Sequence, residues 1–204
     1  MILVRHGQTV WHRENRYTGS SDIGLTDEGH RQARTLATWA AAARPDTLVC
    51  SPTRRARDTA APAAATLGST PRIVSALREI DFGSAEGRTI DELPPQVVEA
   101  FRADPAAHFF PGGEPPEHAA GRCVRALTAL AAELDGATVL ATVLAIAHST
   151  LLRLGLCQLL GIQLSRYRHV FPELRNCALT TVRLREDDCA LLDLNVPIPA
   201  TPVT

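Results

Sequence analysis

Apolar residues along the chain come in two arrangements: short unbroken runs, and longer stretches in which they recur every three or four positions. Residues 1–4 and 143–147 are runs of the first kind, and 46–50 ends in one. Such runs predict strands buried on both faces. Residues 26–43, 53–67, 117–134 and 149–160 show the second arrangement and predict helices that bury one stripe. In the first of them Leu36, Trp39 and Ala40 share a face. Thr26 is placed to cap it, with Asp27 and Glu28 in the opening turn, and Ser51-Pro52 reads as a cap followed by proline at the first position of the second helix. Residues 71–74 suggest a third strand, 77–83 an extended or irregular segment, and 89–103 a helix interrupted at Pro94-Pro95. The polar stretch 10–25 and the Pro-, Gly- and aromatic-rich stretch 104–116 read as long loops, and ordered loops of that length are usually functional. Two late strands are expected at 178–184 and 190–195, while 138–142 fits a helix end or a strand start equally well.

Strands alternating with helices indicate an α/β fold with a mostly parallel central sheet, to which the late pair adds an antiparallel edge. No internal repeat or linker interrupts the pattern, so residues 1–204 read as a single domain. A net charge of −1 and a pI near 6.6 argue against a general nucleic-acid or anionic-membrane surface. All 21 basic residues are arginine, so a lone arginine says less here than usual. Five scattered cysteines, never spaced C-x-x-C, read as free thiols, four of them in apolar surroundings. No basic-then-apolar leader and no apolar run of spanning length is present, and a reducing, cytoplasmic setting is the expectation.

The candidate chemistry sits at strand ends. Val4 is followed by Arg5-His6-Gly7, and Ala147 by His148-Ser149. In an open α/β sheet ligands bind beyond the carboxyl ends of the strands, so the two imidazoles would emerge at one edge, where the helix after His148 offers free N–H groups to an anion. Gly7 would let the backbone turn sharply there. Arg55 begins the helix after the second strand; Arg54 has the i,i+4 spacing of an ion pair with Asp58 and reads as a surface residue. Glu79 follows the third strand. A carboxyl group near a phosphate has its proton uptake favoured, as a general acid requires.

Arg5-His6-Gly7, residues 51–59 with Arg55-Ala56 and Thr59, Leu77-x-Glu79 and Ala147-His148-Ser149 resemble, in order, the landmarks of the histidine phosphatase superfamily, which contains the cofactor-dependent phosphoglycerate mutases and many small phosphatases. The resemblance covers residues 1 to about 160. It implies a three-layer α/β/α, phosphoglycerate mutase-like fold with a lid-like segment at about 84–118. It further implies that His6 is a nucleophile that becomes phosphohistidine, that Arg5, Arg55 and His148 hold the phosphoryl oxygens, and that Glu79 serves as general acid and base. Spacing alone selects neither Arg55 nor Glu79.

Residues 14–19 with Leu25-Thr26 resemble the mutase version of the first loop, where Thr18 and Gly19 would contact substrate; Ser149 joins the same binding set. Three features favour hydrolysis. Gln8-Thr9 follows the Arg-His-Gly, residues 79–87 resemble the phosphatase version of that segment, and the stretch between Glu79 and His148 lacks the longer basic insertion of the mutases. A mutase must keep water from its intermediate, and a shorter lid leaks. His12 stands where the family commonly has an asparagine that contacts phosphate; it is either a neutral stand-in or a pH-dependent group that shifts substrate preference. His108, Phe109 and Phe110 in the second long loop either pack beneath it or face an apolar or sugar-ring part of the substrate. The reading is a metal-independent phosphomonoester hydrolase acting on a small phosphorylated metabolite, with no cofactor, nucleic acid or membrane partner and with a homodimer left open. Its alternatives are a phosphoglycerate mutase, a non-catalytic phospholigand-binding relative, and a metal hydrolase using His6, His12 and His148.

Overall fold

The computed structural model describes residues 1–133, 141–185 and 188–199. Six strands, β1 (Ile2–Arg5), β2 (Thr47–Cys50), β3 (Arg72–Ile73), β4 (Val143–Ala147), β5 (Leu179–Arg185) and β6 (Asp188–Val196), form one sheet in the order β3-β2-β4-β1-β5-β6. The first four are mutually parallel, and β5 and β6 add the expected antiparallel edge.

Alternation along the strands sorts their side chains between two cores. Ile2, Val4, Leu48, Cys50, Leu144 and Ile146 face one side, where α1 (Asp27–Ala43) and α2 (Arg54–Leu67) cover them. Leu36 and Ala40 of α1 and Ala56, Ala60 and Ala63 of α2 are fully buried there; alanine lets these two helices sit close to the sheet. Leu3, Val49, Val143, Ala145 and Ala147 face the other side, against α4 (Pro116–Ala132) and α5 (Ser149–Leu159). The result is the predicted three-layer α/β/α arrangement.

Local capping decides several boundaries. Thr26 Oγ1 accepts from Gly29 N at 3.0 Å, capping α1 as expected. α2 departs from expectation: Thr53, not Ser51, is its N-cap, and the helix starts at Arg54. Ser51 is instead drawn to the site, its Oγ 2.7 Å from His148 Nε2. The proline pair does not interrupt a helix but starts one, because the residue before a proline avoids helical backbone: a 3₁₀ turn at Ile90–Glu92 precedes α3 (Pro95–Ala103), with Pro94 as its cap. A single-turn helix, α6 (Tyr167–Val170), follows α5. Leu134 and most of the unassigned stretch 138–142 lie outside the described residues.

In the second long loop Phe110 turns inward, while His108 is exposed. Phe110 is buried, stacks on Phe101 at 4.3 Å and meets the Tyr17 ring edge-on at 4.8 Å. Packing, the plainer of the two expectations, accounts for Phe110. Glu114 ends the loop in an ion pair with Arg122 of α4 at 2.7 Å. Arg122 also donates to the main-chain oxygens of Ala76, Arg78 and Glu79 at 2.6, 2.7 and 3.1 Å, tying the loop and the Glu79 segment to the same helix.

Candidate active site

β1 and β4 are direct neighbours, with Arg5 in register with Ala147. The residues after each strand therefore emerge side by side at the carboxyl edge of the sheet. His6 N donates to Ala147 O at 3.0 Å, the His6 and His148 rings lie 5.1 Å apart, and both are buried. His6 Nδ1 is 2.8 Å from Gly7 O. A carbonyl oxygen only accepts, so Nδ1 carries the proton and Nε2 keeps its lone pair. Burial, reinforced by the charges of Arg55 and Arg5, holds the His6 pKa well below its ordinary value. The ring is neutral at neutral pH, the form a nucleophile needs.

Gly7 is required for a different reason than a sharp turn. Its backbone is not left-handed; a Cβ there would lie 2.7 Å from Gly29 O of α1. Close passage of the two backbones brings the loop after β1 against the helix, and Gly7 N donates to the buried Thr59 Oγ1 of α2 at 2.9 Å.

Three cationic or potentially cationic groups surround His6. Arg5 Nη1 donates to Leu174 O at 2.8 Å, and Nη2 lies 2.6 Å from His12 Nε2. Burial lowers the Arg5 pKa to about 10, which leaves it charged at neutral pH. Arg55 is wholly buried; its Nη atoms donate to Ser21 O at 2.9 Å, Gly19 O at 2.8 Å and Thr18 O at 3.2 Å. Arg54 is the exposed neighbour, 3.5 Å from Asp58. Burial and the nearby Arg55 hold His148 neutral as well. Among the described residues, the buried side-chain nitrogens and oxygens without a hydrogen-bond partner are Arg5 Nε, Arg55 Nε and His148 Nδ1. Buried polar atoms are nearly always satisfied, and all three of these belong to the ring around His6.

Glu79 stands opposite, at the N-terminus of α5. Its Oε1 accepts from Ile80 N at 2.9 Å and Leu151 N at 2.8 Å, and its Oε2 from Thr150 N at 3.0 Å. A helix N-terminus with unused N–H groups favours such a carboxylate.

Arg5, His6, His12, Thr18, Glu79 and Ser149 line a cleft of about 360 Å³. Arg55, His148 and Gly19 lie behind its wall; Gly19 N donates to Glu86 at 2.8 Å, and a Cβ at Gly19 would lie 2.6 Å from Ile80 O. His12 meets only donors at Nε2, Arg5 Nη2 and Asn176 Nδ2 at 3.3 Å. Nδ1 accepts from Thr9 N at 3.0 Å and lies 2.8 Å from Thr9 Oγ1, so both ring nitrogens face donors. Burial and Arg5 lower its pKa to about 4, which makes it a neutral group at neutral pH.

Residues 1–197 match the family model of the histidine phosphatase superfamily, branch 1. The chain belongs to the histidine phosphatase superfamily. It is 28% identical over 199 residues to phosphoserine phosphatase 1 of Hydrogenobacter thermophilus, across 96% of this chain and 92% of that protein. It is 31% identical over 190 residues to a probable phosphoglycerate mutase of Salmonella paratyphi C, across 91% and 85%. Among solved structures, a mycobacterial glucosyl-3-phosphoglycerate phosphatase superposes with a TM-score of 0.85 at 27% identity, covering 97% of this chain and 98% of that one. A phosphoserine phosphatase of Entamoeba histolytica, in complex with 3-phosphoglyceric acid, gives 0.84 at 26% identity, covering 96% of each.

Three residues shape the site of this histidine phosphatase in roles that its sequence did not assign to them. Ser51 holds His148. Glu86 accepts from Gly19 N and from Ser21 N at 3.0 Å, fixing the first loop, and Asn176 Nδ2 donates to His6 O at 2.7 Å. Each acts across a gap of tens of residues, which local periodicity does not register. Among the described residues no three His, Cys, Asp or Glu side chains are grouped as metal ligands, and the five cysteines are free, four of them buried. No described helix is long and apolar enough to cross a membrane.

Proposed function

We propose that the chain hydrolyses small phosphomonoesters through a phosphohistidine on His6, without a metal. The observation that carries this is the set of three buried, unpartnered nitrogens on Arg5, Arg55 and His148 beside a neutral imidazole whose Nε2 is left free. A phosphoryl group is what such donors suit: charge-assisted hydrogen bonds stabilise its equatorial oxygens as charge redistributes in the transition state. Nε2 of His6 attacks phosphorus, the bond to the leaving oxygen breaks, and Glu79 supplies that oxygen with a proton. Glu79 then takes a proton from water as the water attacks phosphorus, releasing inorganic phosphate and free His6. Thr18 and Ser149 contribute hydrogen bonds to the substrate, the neutral His12 holds Arg5 in place through Nε2, and Gly19 shapes the loop that presents Thr18. Relatives named as acting on phosphoserine and glucosyl-3-phosphoglycerate support a small phosphorylated metabolite as substrate.

The test is hydrolysis of para-nitrophenyl phosphate with chelator present, by wild type and His6→Ala. Turnover that survives chelator and disappears in His6→Ala, with an acid-labile, alkali-stable phosphoenzyme in wild type, is expected. No wild-type turnover, or loss on chelation, overturns the reading. Interconversion of 2- and 3-phosphoglycerate with a bisphosphoglycerate primer, at a rate exceeding release of inorganic phosphate, would assign mutase chemistry instead.

A further inference from the structure

We propose that the cleft contains a second anion subsite, formed by Arg153, Arg168 and Arg102, so that the preferred substrate is a small phosphomonoester carrying a second anionic group. The proposal rests on the phosphatase reading and names the substrate class of that site.

Three elements far apart in sequence bring these arginines to one cleft. Arg102 comes from α3, Arg153 from α5 and Arg168 from α6, and all three line the same space as His6 and Glu79. Because every basic residue of the chain is arginine, their identity means little. Their lack of carboxylate partners means more. Arg16 also lines the cleft but is paired with Glu14 and Glu92 at 2.6 and 2.9 Å. Among the described residues, Arg102, Arg153 and Arg168 have no carboxylate within 4.0 Å. The carboxylates lining the cleft are Glu79, already engaged by three backbone N–H groups, and Glu173.

Two of the guanidinium groups, those of Arg153 and Arg168, are held rather than free. Arg153 Nε donates to Ser149 O at 3.2 Å and Nη1 to Phe171 O at 3.3 Å, and the group lies 4.9 Å above the Tyr167 ring. Its Nη2 has only a 3.5 Å approach to Thr150 Oγ1. Arg168 lies 5.3 Å over the Phe101 ring. Aromatic faces and carbonyls orient a cation without neutralising it. Arg153 also carries a burial cost, which shows as a lowered pKa. A partly buried positive charge with no counter-ion is ordinarily paired; here an anionic substrate group would complete it. The volume, about 360 Å³, lies near the lower end for ligand sites and suits a compact metabolite whose two anions are a few bonds apart.

The test compares probes that differ only in the second group. 3-Phosphoglycerate and glycerol 3-phosphate share a three-carbon frame and differ by carboxylate against hydroxymethyl; fructose 1,6-bisphosphate and fructose 6-phosphate differ by a second phosphate. Wild type is expected to favour the doubly anionic member of at least one pair by about tenfold or more in kcat/KM, chiefly through KM, with the preference shrinking as salt rises. The pair that shows it names the group. In Arg168→Gln and Arg102→Gln, both at exposed positions where folding is not at stake, the preference ratio falls several-fold; Arg153→Lys, which keeps charge but loses the fork, lowers it as well. Binding of the same probes to His6→Ala by calorimetry reads the subsite without turnover. Failure of the phosphatase reading therefore shows as no hydrolysis of any probe. Failure of this proposal shows as equal affinity within both pairs, or ratios unchanged in all three variants.

Discussion

Replacing Glu79 by glutamine keeps shape and volume while removing one charge and one acceptor, and the structure makes that exchange far from conservative. The carboxylate accepts from Ile80 N and Leu151 N through Oε1 and from Thr150 N through Oε2, all within 3.0 Å. Glutamine has a single acceptor oxygen. If that oxygen keeps Ile80 and Leu151, its NH₂ group faces Thr150 N–H, and a buried donor is left unsatisfied at about 1–3 kcal/mol. The two surviving bonds change from charged to neutral, and the favourable placement of negative charge at the start of α5 is lost. A total near 3 kcal/mol follows, which for a chain of this size corresponds to a fall in Tm of roughly 6–12 °C. Thermal unfolding followed by circular dichroism measures it. Kinetics supply a second, independent reading. A general acid contributes about 10²–10⁴-fold when the leaving group needs its proton. Glu79→Gln should therefore slow alkyl phosphates much more than para-nitrophenyl phosphate, whose phenolate leaves unaided. A Tm unchanged within about 2 °C would refute the hydrogen-bond argument. Equal slowing on both leaving groups would refute the acid role.

Acid lability follows from the site histidines. Burial and neighbouring arginines lower the pKa of His6, His12 and His148 in the folded chain, so below about pH 6.5 the unfolded chain binds more protons and stability falls as pH falls. For His12, at about 4, the contribution approaches roughly 3 kcal/mol by pH 4; urea unfolding between pH 7 and 4.5 should show a smaller loss in His12→Asn, and identical losses would overturn that assignment. Arg122→Met breaks an ion pair in which the two side chains are 10% and 12% exposed. Loss of about 3 kcal/mol is expected because Glu114 stays buried, softened by Arg78 at 3.6 Å. Adding Glu114→Gln should recover part of it, and strict additivity in that double-mutant cycle would argue against the pairing.

Much of the layout was legible in the sequence because it rests on local physics. Unbroken apolar runs at Ile2 to Val4 and Val143 to Ala147 mark doubly buried strands, since a strand covered on both faces has no room for polar alternation. Thr26 with Asp27 and Glu28 marks a helix start, since a cap acts within one turn. Family resemblance added Arg55 and Glu79, which spacing could not select. Other features depend on which distant segments meet. The pairing of β1 with β4 makes neighbours of His6 and His148, an event of strand order rather than of either strand's composition. Ser51 reads locally as a helix cap, yet the nearby His148 imidazole takes its hydroxyl. Gly7 reads as a turn, yet what excludes a side chain is the backbone of α1 at Gly29. The arginines at 102, 153 and 168 look like three ordinary basic residues until three helices bring them to one cleft. Side-chain periodicity reports what a residue's own element buries; it holds no record of what crosses from another, and at this site the groups that set charge and hydrogen bonding come from different elements.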